Sequence, residues 1–394
     1  MNTKTLSLLG GITILIILAA IFLGKEPSNS IPESGQPLFP DLMTKINDVS
    51  EMLVKTQKDT TTLIQGESSW GVKEKEGYRA DFEKIKQSLI GLAELRIVEP
   101  KTKNKDLYQK LGLQDPGEKD SHSKLVALKT KDGTSIAELI IGNQRPGKGN
   151  PDASEFYVRK SGDPQSWLVK GRLRLETGSG EWLDKQILDI QDHRIRRVHV
   201  THPDGTTLTV RKSKPDDSDF FIVGMPKGTK VKSHFTVNNV AMTLGHLTLE
   251  DVKKGEAIDF TKNPGLRAVL ETFDGLRVLL TTARHDDAIY GKVKAVFDPA
   301  LVYQVDKTPS PKKEKEQGKP TKMATTKEAQ KAGVAEQKEK ETKEPPKPRI
   351  KSKKEVQEEV SRINTSLAGW AFVLPKFRVE NFSKHRADLL EKKD

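Results

Sequence analysis

The most suggestive chemistry lies between Gly142 and Lys148, where Gly-Asn-Gln-Arg-Pro-Gly-Lys follows the apolar run Leu139-Ile140-Ile141. This is the GxxxxGK spacing of a loop that wraps phosphate oxygens in backbone N–H groups and aims a lysine at them. Such a loop also needs a Ser or Thr next, to hold magnesium, and a helix whose N-terminal amides face the phosphate. Here Gly149 takes the hydroxyl's place and NPDASEFYV reads as a loop leading into a strand. The segment is therefore expected to be a hairpin loop, and the chain not an NTPase.

The histidines raise the question of a metal. His193, His199 and His202 lie close in sequence, but their spacing suits no standard site. His199 and His202 are an odd number apart, so on one strand they face opposite sides unless a turn intervenes. Asp286-Asp287 after His285 is acidic enough for a divalent ion, yet HDDAIYG reads as a turn between strands. Ser121-His-Ser-Lys124 has the S-x-x-K spacing of a serine nucleophile with a lysine base, but sits in a polar loop without the helix that presents such a serine. HExxH, GxSxG and paired-carboxylate constellations do not occur, and the absence of cysteine removes thiol catalysis, disulfides and Cys-ligated zinc. No catalytic, cofactor-binding or metal residue is assigned, and the chain is expected not to be an enzyme.

The net charge of +12 is unevenly spread. Asp306–Glu355 holds 16 Lys/Arg against 9 Asp/Glu, and the remainder shows no basic stripe with interleaved aromatics. Nucleic acid is not the expected partner. The same stretch carries six prolines and almost no large apolar side chain. It cannot bury enough surface to offset its chain entropy and is expected to be disordered.

At the other end, Leu6–Gly24 is free of charge. Nineteen helical residues span about 28 Å, close to the hydrocarbon core of a bilayer. Bulky residues after Ala20 leave no small-residue cleavage site, so a retained anchor is expected over a removed signal peptide. A short N-terminus before a large C-terminal region places that region outside the cytoplasm.

The elements between these ends repeat. Leu128–Leu139 (LKTKDGTSIAEL) and Leu270–Thr281 (LETFDGLRVLLT) align at a spacing of 142, each with apolar runs around Asp-Gly, a strong hairpin signal. Leu92-x-x-Leu95-x-Ile97 matches Leu244-x-x-Leu247-x-Leu249 at the ends of two helical patterns, and Trp70-Gly-Val72 matches Phe221-Ile-Val223. Further upstream, Ile46-x-x-Val49 with Thr61–Ile64 matches Ile195-x-x-Val198 with Thr206–Val210. Within Arg196–Val200 the valines face one way and Arg197 and His199 the other, a strand with one wet face.

The expected fold is α+β: an N-terminal transmembrane helix, then two tandem modules of mainly antiparallel sheet with packed helices. The divisions are an anchor over 1–27, a tether over 28–40, a first module over 41–190 and a second beginning at 191–305. The Lys/Glu/Pro-rich insertion occupies 306–355, and residues 356–394 return as a strand and helix completing the second module. On this reading the strand around Phe372 pairs beside the 293–305 strand.

This pattern resembles a bacterial membrane-anchored family, domain of unknown function 4340. The N-terminal helix, Trp70-Gly71-Val72, Leu107-Tyr-x-x-Leu111-Gly-Leu113, Leu139-x-Ile141-Gly142, Phe156-Tyr157-Val158 and Trp182-x-x-Lys185 carry the resemblance. It implies a noncatalytic accessory or scaffold protein of the bacterial inner membrane, single-pass, with the bilayer and ABC transporter subunits as partners. The other expectations are a module binding envelope polymer or anionic lipid through its Lys-rich segment, and an enzyme of unrecognised type.

Overall fold

The computed structural model describes residues 34–146, 154–304 and 349–391. The expected anchor, Leu6–Gly24, and most of the Lys-rich insertion lie outside them. Among the described residues no helix is long and apolar enough to cross a membrane. The chain forms two compact units that meet in sequence at Lys185 and Gln186. Both are α+β, each built on one antiparallel sheet.

The N-terminal unit runs through α1 (Leu42–Lys45), β1 (Glu51–Lys55), β2 (Thr60–Gln65), β3 (Trp70–Val72), β4 (Tyr78–Arg79) and α2 (Phe82–Ala93). It continues with β5 (Arg96–Pro100), α3 (Tyr108–Leu111), β6 (Lys124–Lys129), β7 (Ser135–Pro146), β8 (Ser154–Lys160) and β9 (Ser166–Gly171). Its strand order is β4-β3-β2-β1-β6-β7-β8-β9-β5. The C-terminal unit contains β10 (Ile195–Thr201), β11 (Thr207–Arg211), β12 (Phe221–Ile222), α4 (His234–Gly245), β13 (Asp251–Lys254), β14 (Pro264–Thr272), β15 (Leu276–His285) and β16 (Ala288–Phe297). After residue 349 come α5 (Lys353–Leu367), β17 (Trp370–Val373), α6 (Lys376–Phe382) and α7 (Arg386–Leu389). This order is β12-β11-β10-β14-β15-β16-β17-β13, the first sheet's order without a β4 counterpart.

Register makes the correspondence residue by residue. Leu128 lies opposite Met52 and Ala137, and Leu270 opposite Val198 and Val278. Both leucines are buried. Met52, not Val49, is thus the counterpart of Val198, and Leu63 answers to Val210 rather than Leu208. The slip at Leu63 is of two residues, which residue type alone could not detect because strand faces repeat every second residue; the one at Val49 is of three, and Val49 lies ahead of β1. The Asp-Gly turns share one geometry. Thr130 and Thr272 each use their hydroxyl to engage the Asp two residues on and to accept from the amide four residues on. Gly133 and Gly275 take positive φ of 85° and 96°, where a side chain would be strained.

The helices form for local reasons. Asp81 accepts from Glu83 and Lys84 amides at the start of α2, whose buried face carries Ile85, Leu89 and Leu92. Ser233 caps α4, which buries Val237, Val240, Ala241 and Leu244. Ser352 and Glu355 form a capping box at α5, so this helix begins inside the stretch expected to be disordered to 355. Helix α5 then buries Val356, Ile363 and Leu367. Its Asn364 amide donates to Ala295 O at 2.8 Å and accepts from Ala295 N at 2.9 Å, substituting for a neighbouring strand on β16. Strand β17 lies between β16 and β13 through Gly291↔Phe372 and Val252↔Phe372.

Candidate functional site

The polar side chains singled out above do not converge. His193 lies beside the Arg349 carbonyl at 3.1 Å, and His199 Nδ1 meets Thr209 Oγ1 at 2.7 Å on the open face of the sheet. His202 starts the turn after β10, closed by Gly205 N donating to its carbonyl. His285 and Asp286 approach within 3.5 Å at the exposed β15–β16 turn. Ser121 and Ser123 are buried, 3.0 Å apart, and both donate to the Gln114 carbonyl, which makes them a loop clasp. Gly142 is needed for close approach: a Cβ there would sit 2.3 Å from Leu111 O and 2.7 Å from Gly112 O. Gly147 and Lys148 lie outside the described residues. Among the described residues no three His, Asp or Glu side chains are placed to hold a metal ion.

Two constellations emerge instead, both in the C-terminal unit. The first is a buried ionic centre. Arg194, 2% exposed, precedes β10 and forks between two carboxylates. Nε and Nη2 donate to Asp274 at 2.7 and 3.2 Å, and Nη1 and Nη2 to Glu359 at 3.1 and 2.7 Å. Lys351 adds its amide to Asp274 at 3.0 Å and its ammonium to Glu359 at 2.9 Å. Burial by itself pushes all three groups towards their neutral forms. The paired charges and hydrogen bonds outweigh it, so Arg194 holds its proton more firmly and both carboxyls lie below their usual range. Glu359 was legible as a charge on the apolar stripe of α5, between Val356 and Ile363.

The second is a cleft of about 800 Å³ at the end of the sheet, bounded by α6 and the start of α7. Leu266 of β14, Ile289 of β16 and Val379 of α6 supply apolar surface, and Lys262, Arg284 and Lys376 supply cations from three separate segments. Among the described residues none of these cations forms an ion pair. Asp286 and Glu380 are the carboxylates in the lining. At one side the His202 and His385 rings stack, 4.0 Å between centroids and 13° from parallel. His385 also approaches Asp204 at 3.4 Å. The Thr206 hydroxyl and amide hold the Asp204 carboxyl down at about 2. His202 is 5% exposed; burial, then the neighbouring His385 charge, pushes its pKa down. Its Nε2 is buried with no hydrogen-bond partner among the described residues. His385, the stacking partner, drew no attention in the sequence because no motif links residues 183 positions apart.

The N-terminal unit has a polar cleft of about 710 Å³, but its arginine is already engaged. Arg159 donates to Leu113 O at 2.9 Å and to Asp115 at 2.6 Å, over the Tyr108 ring.

No curated protein and no solved structure matches the chain. A family model described as a domain of unknown function (DUF4340) matches residues 70–268, just over half of the 394 residues. That span runs from the Trp70-Gly71-Val72 strand through α4 into β14, and the chain belongs to this family.

Proposed function

We propose that the protein is a noncatalytic accessory or scaffold subunit of an ABC-type membrane complex, anchored in the bacterial inner membrane with its folded units outside the cytoplasm. The observation that supports this is where the ionisable groups go. Arg194 ties β10 to a turn 80 residues on and to α5, 165 residues on. His246 spans Asp189 and Asp192 at 3.0 and 3.2 Å, and Arg159 fastens the 113–115 loop to β8. These side chains hold chain to chain, which suits a rigid body that presents surfaces to partners. Two sheets of one strand order offer two related surfaces for that purpose.

The test is affinity capture of the tagged full-length protein from detergent-solubilised membranes after brief crosslinking. Stoichiometric recovery of ABC permease or ATPase subunits is expected. Recovery of the protein alone, at crosslinker doses that capture a known membrane complex, would refute the assignment.

A further inference from the structure

We propose that the cleft lined by His202 and His385 binds a small amphipathic oxyanion, an alkyl chain bearing a carboxylate or phosphate monoester. The headgroup would lie among Lys262, Arg284 and Lys376, with the chain against Leu266, Ile289 and Val379. Three observations converge. First, the cations come from the segment before β14, the end of β15 and the start of α6, so the fold itself gathers them. Elsewhere in this unit Arg194 is matched by Asp274 and Glu359, and Arg197 and Arg277 by Glu271. The cations of the cleft are exposed and make no ion pair among the described residues; Asp286 and Glu380 share the lining and Lys262 lies in the field of Asp259, so the repulsion among the three like charges is only partly offset. An anion would relieve that repulsion.

Second, His202 is more than nine-tenths buried and lines the cleft with an unpartnered Nε2. A buried polar atom without a partner is uncommon in folded proteins and calls for one. Third, Leu266, Ile289 and Val379 give this cleft an apolar wall, whereas the cleft around Arg159 is lined by charged groups such as Lys105, Asp106, Asp115 and Glu118. Its volume lies within the range of small-molecule sites. Lysine and arginine both donate, so the complement is an acceptor carrying negative charge and a hydrophobic tail.

Octanoate, octyl phosphate and octanol serve as probes in calorimetric titration of the full-length protein held in amphipol. At least one of the two anions is expected to bind saturably at one site, octanol at least tenfold more weakly. R284Q and K376Q should each weaken binding about tenfold, while R284K keeps most of it. Both side chains are exposed, and unchanged amide exchange in β14–β16 and α6 would show that the variants are folded. The tighter anion identifies the headgroup. Equal binding of octanol and octanoate, or titrations indifferent to both glutamine substitutions, would overturn the proposal. Either result would leave the scaffold reading untouched, since that rests on captured subunits.

Discussion

Replacing Arg194 with methionine tests whether the ionic centre, rather than apolar packing alone, holds the returning segment to its sheet. Arg194, Asp274 and Glu359 are 2%, 0% and 4% exposed at their side chains, so deleting the guanidinium strands two carboxylates away from water. Removing one partner of a buried ion pair costs about 3–5 kcal/mol. Lys351 still reaches Glu359 at 2.9 Å, and at 34% exposure it is partly screened, which favours the lower half of that range. A domain has a total stability of about 5–15 kcal/mol, so the loss is a large share. Hydrogen exchange read by mass spectrometry localises it. Amides of α5 and β17 should exchange roughly 100- to 1,000-fold faster, at about 1.4 kcal/mol per decade, with β1–β9 unchanged.

The pH dependence supplies a second readout of opposite sign. In the native protein both carboxyls are held below their unfolded values, so their contribution is complete above about pH 4 and fades as pH falls through the folded values. Without Arg194, Lys351 still holds Glu359 down, but Asp274 keeps only neutral hydrogen bonds against its burial and should rise above its unfolded value. R194M should therefore gain stability on acidification from pH 7 towards 5, while the native protein does not. Unchanged exchange in α5 and β17, together with a native pH profile, would show that packing alone carries the segment.

Other outcomes follow from the same structure. Replacing residues 308–346 by a short Gly/Ser bridge should leave the melting of the C-terminal unit unchanged. Extending the deletion through Ser352 should cost about 0.5–2 kcal/mol for the lost helix cap, besides the Lys351 contacts; equal melting of the two deletions would contradict this. Truncation after residue 355 removes β17 from between β16 and β13, and calorimetry should lose the cooperative transition of this unit. G142A should destabilise the N-terminal unit by about 1–3 kcal/mol in urea unfolding, because its Cβ meets backbone that cannot step aside. Full-length protein should stay in the membrane pellet after alkaline carbonate extraction and be cleaved by protease in spheroplasts. Release into the supernatant would refute the anchor, and protection until lysis would refute the orientation.

Much of the fold was legible in the sequence because its signals are local. The Asp-Gly pairs carry their own turn chemistry, and Thr130 and Thr272 complete it from two residues away. The caps at Asp81 and Ser233 precede apolar positions at helical spacing, and the order of hairpin, helix and hairpin recurs along the chain. Register was not legible: a two-residue slip, as at Leu63, leaves every side chain on its own face, and only cross-strand pairing shows that β1 begins after Val49 and sets Met52 against Leu128. Composition also misplaced the start of the last folded segment. Charge content averages over a window, whereas Arg349, Lys351 and Ser352 are ordered by particular partners, two of them on other elements. The candidate sites were the least legible of all. Arg194 finds Asp274 and Glu359, and His202 finds His385, only because the sheet brings distant segments together. Spacing along a chain records which residues share a turn or a face; which charges meet in the interior depends on how the elements pack.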